Sequence, residues 1–189
     1  MALERKVDKF KLKKWYNVYA PKVFDGAIIG EMPGNDDKSV MGRSIVVGMD
    51  ALTHNMSKMN TNVRLKVTEV SGNAAHTSVV RIETLYSYLR SLIRRHRSLV
   101  NAIIPAKSSD GSNMVLKMLV VTRRRVARSK ISGMRKEAAE FAANYCKENT
   151  KDGIIGAIVS GSLQADVSSK LKHITDISSV EVNKLEIKS

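Results

Sequence analysis

The sequence is short of cysteine, of acids and of long apolar runs. One cysteine, Cys146, stands among 189 residues. It cannot close an internal disulfide or build a thiolate zinc cluster, and such usage fits a reducing, cytoplasmic compartment. No stretch approaches the ~18 consecutive apolar residues of a membrane-spanning helix. Met1 to Asn17 is charged and carries no apolar core of the kind a secretory leader needs, so no leader is expected. No internal repeat, low-complexity segment or linker divides the chain. What is present is apolar material for a core, 43% of residues, which argues against wholesale disorder. There is also a large surplus of bases: 32 Lys and Arg against 18 Asp and Glu, a formal charge of +14. A surplus of that size repels itself unless a polyanion offsets it. Nucleic acid and an anionic membrane surface are the two partner classes that remain.

The surplus is segregated. Residues 1–22 hold seven bases and two acids, and residues 81–136 hold fourteen and two. Residues 23–80 and 137–189 are close to neutral, at −1 and −2. A patchy distribution of this kind reads as an electrostatic footprint rather than a general aid to solubility. A membrane is the poorer fit, because no sustained amphipathic helix with a broad apolar face and no lipidation motif is visible.

Residues 1–14 are polar and Lys-rich and read as an extended basic arm ahead of a single domain over 15–189. Trp15 to Tyr19 alternates and stops at Pro21, as a strand does. The apolar run Gly26 to Met32 ends in the turn cluster 33–37. Ser44 to Met49 is a further β-branched run, and 50–62 reads as a loop or one helical turn. Val63 to Val70 alternates clearly, and Thr77 to Thr84 returns after Ser71-Gly72-Asn73 as a hairpin. Leu85, Tyr88, Leu89, Leu92, Ile93 and His96 then fall at helical spacing, with Arg90, Arg94 and Arg97 on the opposite face. Leu99 to Ile104 is a strand stopped by Pro105. Asp110-Gly111 is a turn, and Met114 to Thr122, apolar on both sides, is a central strand. Arg123 to Lys130 has no apolar period and reads as a loop, with Gly133 preceding a helix that carries Met134, Ala138, Phe141 and Tyr145. Two more helices, Asp152 to Ser160 and Leu163 to Ile174, meet at Gly161. The last strand, Ser179 to Ile187, slips phase between Val182 and Leu185, which implies a bulge. The expected class is α+β: an antiparallel, barrel-like sheet of seven or eight short strands with about three helices packed on one side of it.

Catalytic signals are thin. His54, His76, His96 and His173 share no metal-ligand spacing with each other or with Cys146, so no metal site is expected. His96 reads as a core-edge residue and Cys146 as a buried, inert thiol. Gly156 to Ser162 has the glycine spacing of a phosphate loop but lacks its lysine, so it reads as a helix break. No nucleophile or acid–base pair stands out, and neither catalysis nor a cofactor is expected. The chemistry lies in the bases. Arg123, Arg124, Arg125, Arg128 and Lys130 can neutralise several phosphates, and Arg135 and Lys136 continue the run. Arginine suits the task, since its planar fork reaches two phosphate oxygens and stacks on bases. Arg94, Arg95 and Arg97 extend the surface from the preceding helix. In the arm, Lys11, Lys13 and Lys14 adjoin Trp15 and Tyr16. Bases beside aromatics suit single-stranded or irregular RNA, while both rings also fit an anchor for the first strand.

The run Lys13-Lys14-Trp15-Tyr16-Asn17-Val18-Tyr19-Ala20-Pro21-Lys22-Val23-Phe24 resembles the opening motif of the archaeal and eukaryotic small-subunit ribosomal protein family S-three-A-e, also called e-S-one. Gly42-Arg43 before a β-branched run is similar to the family's second landmark and adds Arg43 as an RNA contact. The Asp110-Gly111 turn, the basic run and the ending Val182-Asn183-Lys184-Leu185-Glu186-Ile187 follow in order, so the likeness covers about residues 10–187. Gly133 to Ala143 departs from the family by being alanine-rich. The eukaryotic extension and tail are missing, which fits an archaeal-type member. The resemblance implies a structural protein of the small-subunit platform that binds the 3′ region of the small-subunit rRNA near the mRNA exit. It also implies neighbouring platform proteins and nearby mRNA as partners, and no membrane. The alternative is a free single-stranded RNA-binding protein or RNA chaperone of the barrel type.

Overall fold

The computed structural model describes Phe10 and residues 13–188. Period-two burial lays down the strands. In β1 (Lys14–Tyr19) the inward positions are Tyr16 and Val18. It pairs with β2 (Ile28–Gly34). A one-turn helix α1 (Asp37–Val40) leads to β3 (Ser44–Gly48), then α2 (Met49–Thr53) and the long hairpin β4 (Thr61–Ser71) and β5 (Ala74–Thr84). Next come α3 (Tyr86–Leu92), β6 (Leu99–Lys107) and β7 (Asn113–Thr122). Three helices follow, α4 (Arg128–Glu148), α5 (Lys151–Ser160) and α6 (Ser162–Leu171), before β8 (Ile177–Lys188).

The α+β expectation holds, with eight strands in one sheet. Barrel closure does not occur. One edge of β5 is taken by β4, which carries β3 outside it. Its other edge is shared: β1 joins in parallel at Ala74 to His76, and β8 joins antiparallel at Arg81 to Glu83. From that fork one branch runs out to β2 and the other through β7 to β6. Strands β2, β3 and β6 therefore each keep a single partner. Closure would need two of these edges to pair, and the fork sends them apart.

The main core lies between the sheet and α4, α5 and α6. Helix α4 turns Met134, Ala138, Ala142 and Cys146 inward, four residues apart and all buried. The alanines let it approach the sheet closely. Leu163, Val167 and Leu171 repeat that spacing on α6. The second half of strand β7 is buried on both faces, as its composition implies. Met114, Leu116, Met118 and Val120 join the main core, while Leu119 and Val121 face Leu89 of α3 on the other side. A third cluster joins Tyr16, Val18, Met32, Val40, Val67 and Ala75. There Gly34 is obligatory. A Cβ at that position would overlap the Val40 side chain and stand 3.0 Å from the Tyr16 ring. The bulge in β8 falls on Asn183: Lys117 pairs with Lys184 and Met118 with Val182. Gly161 ends α5 in the left-handed region, at φ 90°.

Four expectations are corrected. The helix after Leu85 stops at Leu92, and His96 is exposed in a left-handed turn at φ 62°. Tyr88, Leu89, Leu92 and Leu99 exhaust the apolar surface that Leu119 and Val121 present, so another turn would bury nothing. Pro105 does not stop β6, because β6 is an edge strand and a missing N–H can face outward. Helix α4 starts at Arg128, so Arg128 and Lys130 are helical and Gly133 lies inside the helix rather than before it. Finally, α3 packs on the sheet face opposite α4 to α6.

Candidate nucleic-acid interface

The end of the sheet where β7 finishes collects most of the candidate bases. Leu99 pairs with Val121, and Thr122 with Ile177. The turn before β6, the turn after β7 and the turn before β8 therefore lie side by side. Backbone and hydroxyl groups lock them together. Thr122 donates its N–H to the Ser98 carbonyl at 3.0 Å, and Arg123 donates to the Asp176 carbonyl at 3.0 Å. The Thr122 hydroxyl donates to the Arg124 carbonyl at 2.6 Å, and Val126 donates to the Ser98 hydroxyl at 3.0 Å. On this braced backbone stand Arg94 and Arg95 from one turn, Arg123, Arg124 and Arg125 from the next, and Arg128 and Lys130 from the start of α4. All seven are exposed. Among the described residues none of their side chains makes a hydrogen bond or an ion pair. They are seven like charges gathered at one end of the sheet, with Asp176 as the acid of the adjoining turn.

Helix α4 sharpens that point. It runs 21 residues, yet its N-cap Ala127 supplies no side-chain bond and its first turn holds no acid. Its first N–H groups lack capping acceptors. Arg128 and Lys130 put positive charge at the positive end of the helix dipole, the unfavourable arrangement. A phosphate would offset both defects at once.

A second, smaller cluster forms at the start of β1. Trp15 pairs with Pro33, and Arg43 donates Nη1 to the Pro33 carbonyl at 2.8 Å. Lys14 and Arg43 are exposed, and Trp15 is 50% exposed. Trp15 meets Phe10 edge-on at 6.2 Å between centroids, and the Lys13 ammonium lies 5.0 Å from the Phe10 ring. Lys11 lies outside the described residues.

The two clusters occupy opposite ends of the sheet. Lys14 precedes the point where β1 meets the start of β5 at Asn17 and Ala74. Thr122 and Ile177 lie beyond the point where β8 meets the end of β5 at Lys184 and Glu83. The length of β5, ~36 Å at ~3.3 Å per residue, therefore separates them.

Three candidates are not free to act as proposed from sequence. Tyr16 is corrected outright: it is fully buried, and its hydroxyl donates to Asp37 Oδ1 at 2.7 Å. That bond, aided by burial, raises the phenol above its usual range. On a strand with period two, Trp15 and Tyr16 must face opposite ways, so only one can stack on RNA. Arg97 is half-buried and donates Nη1 to the Ser178 hydroxyl at 3.0 Å. Arg135 is exposed but donates Nε to the Asn101 carbonyl of edge strand β6 at 3.0 Å. Lys136 is exposed beside it. Arg94, Arg95 and Arg97 stand on a turn, not on the helix.

Elsewhere some charges are paired. Arg81 reaches Glu186 at 3.0 Å and Glu83 at 3.6 Å, and Lys184 reaches Glu186 at 2.6 Å. The Lys184 bond holds the Glu186 carboxyl below its usual range. Cys146 is buried, and burial pushes its thiol up to about 11. Among the described residues no group of three His, Cys, Asp or Glu could hold a metal ion, and no helix is long and apolar enough to cross a membrane. Two residues of the arginine end escaped the sequence reading as contacts. Arg90 lies on the exposed face of α3, and Tyr86 is 72% exposed at its start. The available signal was that Tyr86 falls out of phase with the apolar stripe.

These features describe an α+β protein with two separate basic ends. The chain belongs to the Ribosomal S3Ae family, whose model matches residues 2–189. It is 31% identical over 184 residues to small ribosomal subunit protein eS1 of Methanothrix thermoacetophila, covering 97% of this chain and 87% of that one. It is 34% identical over 180 residues to the eS1 protein of Methanococcus vannielii, with coverage of 95% and 82%. With that of Haloarcula marismortui it shares 30% over 187 residues, 98% of this chain and 88% of the relative.

Proposed function

We infer that the protein is a structural constituent of the small ribosomal subunit, cytoplasmic as part of the ribosome, and that it binds rRNA and other ribosomal proteins. The observation that carries this is the family match along residues 2–189. The arginine end supplies the physical means. Seven exposed cations without internal partners, beside an uncapped helix start, suit a chain of phosphates. We assign the phosphate grip to Arg94, Arg95, Arg123, Arg124, Arg125, Arg128 and Lys130, with Lys136 along α4, while Arg135 keeps its bond to the Asn101 carbonyl. Lys11, Lys13 and Lys14, with Trp15 and Arg43, form a second contact, and residues 1–14 serve as an arm beside one domain. The finer placement follows the family resemblance: the 3′ region of the rRNA, on the platform near the mRNA exit, among platform proteins and close to mRNA.

An enzymatic reading finds little support. A partly open cavity of about 90 Å³ is lined by Lys58, Tyr88, Gln164 and Glu181 among others. Tyr88 donates to Glu181 at 3.2 Å, and burial raises the Glu181 carboxyl against the pull of Tyr88 and Lys58. That volume is far below a nucleotide's, and the larger hollows, of about 390 to 510 Å³, are wide open to solvent. The deciding experiment is sedimentation of the endogenous protein with and without ribonuclease. Co-migration with small subunits, lost on digestion, is expected. A protein that stays in the free fraction and binds generic oligonucleotides tightly would instead be a free RNA-binding protein.

A further inference from the structure

Tyr86 is the most exposed aromatic side chain of the described residues, at 72%. A large ring left open to water beside a cation is a surface on which a second flat group can stack. Leu89 points into the protein and packs on Leu119 and Val121. Tyr86 and Arg90, four residues apart, share the outward side of the same short helix. The Arg90 guanidinium carbon sits 5.6 Å from the Tyr86 ring centroid. A cation there braces one side of the ring and leaves the rest open. The chain then passes straight into Arg94 and Arg95 of the arginine end.

We propose that Tyr86, braced by Arg90, is a stacking platform for one unpaired base of RNA whose flanking phosphates are held by the arginine end. The proposal rests on the RNA-binding reading above and adds to it a ligand class, an unstacked nucleobase rather than a duplex. A phosphate grip is indifferent to base pairing, whereas a ring face beside an arginine selects a base that has left its helix. The arrangement repeats the other end of the sheet, where exposed Trp15 stands by Lys14 and Arg43. The competing occupant is a protein neighbour. Met56 and Met59 are also exposed, at 75% and 56%, and the Leu85 N–H donates to the Asn60 carbonyl at 2.8 Å, bringing that turn alongside. Arg90 beside the ring, with Arg94 and Arg95 in the turn that follows the same helix, favours RNA.

The test uses the full chain with deproteinised small-subunit rRNA, in wild type and in Tyr86→Ala, Tyr86→Leu and Tyr86→Phe. The competitors are a single-stranded RNA dodecamer and its abasic counterpart. Alanine and leucine should each weaken binding roughly 5- to 150-fold, the loss expected for one base–aromatic stack, with phenylalanine unchanged. The salt slope should stay at the wild-type value, and the abasic competitor should be the poorer one. Leucine binding as well as tyrosine, or an equal abasic competitor, overturns the proposal. So does Tyr86→Ala with full rRNA affinity but lost incorporation into subunits, which marks a protein contact. A wild-type chain that fails to bind rRNA at all overturns the underlying reading instead.

Discussion

Replacing Arg123, Arg124 and Arg125 together with alanine should change rRNA binding in a manner that identifies counterion release. The three side chains are exposed and make no hydrogen bond or ion pair among the described residues. The turn that carries them is held by backbone groups and by the Thr122 and Ser98 hydroxyls, none of which the substitution removes. Stability should therefore stay within about 0.5 kcal/mol, the usual range for surface changes. Binding should not. Each phosphate contact contributes about 0.7 to 0.9 to the slope of log K against log salt, so three contacts contribute roughly 2 to 2.7. Raising salt from about 50 to about 200 mM should then weaken the wild type about 20- to 40-fold more than the variant. Filter binding to small-subunit rRNA across a salt series measures both slopes, and a thermal melt of each protein supplies the control. Equal slopes would refute the phosphate grip. A marked loss of thermal stability would show instead that these arginines hold the fold.

Tyr16→Phe should cost about 1 kcal/mol in urea unfolding through the lost bond to Asp37, while the salt slope of RNA binding stays put; a changed slope with unchanged stability would return Tyr16 to the RNA surface. Cys146 should resist alkylation at pH 8 in the native protein and react readily in denaturant, since it is buried with its thiol pushed up to about 11 from 9.0. The unfolded thiol ionises first, so this group's contribution to stability is whole below pH 9 and is lost as pH rises towards 11. A Cys146→Ser variant with the same loss over that range would remove the thiol as its cause.

Much of the fold can be read locally. The 4–5 hairpin, the central position of β7, the breaks at Gly161 and between Val182 and Leu185, and the burial of Cys146 each follow from a handful of adjacent residues. Local sequence misleads where a remote neighbour decides. The stripe from Leu85 to His96 has helical spacing, but only Leu119 and Val121 offer it a surface, so α3 ends early. The basic run after Thr122 lacks an apolar phase at its start, yet Ile131 and Met134 pack against the core and draw Arg128 and Lys130 into α4. Tyr16 and Trp15 look alike in sequence as stacking residues, and the pleat of one strand separates them.

The chain's own residues determined that positive charge is in large surplus, that the bases cluster in the arm and in 81–136, and that the elements are α+β. These depend on composition and short-range period, and both are properties of consecutive residues. Tertiary structure alone decided that the sheet forks at β5 instead of closing, that the bases divide between two ends a strand's length apart, and which aromatics remain in water. Those outcomes depend on which distant strand takes each edge of β5, and edge pairing is set by contacts between residues far apart in the chain. The charge of +14 is thereby gathered chiefly into two basic clusters at opposite ends of the sheet.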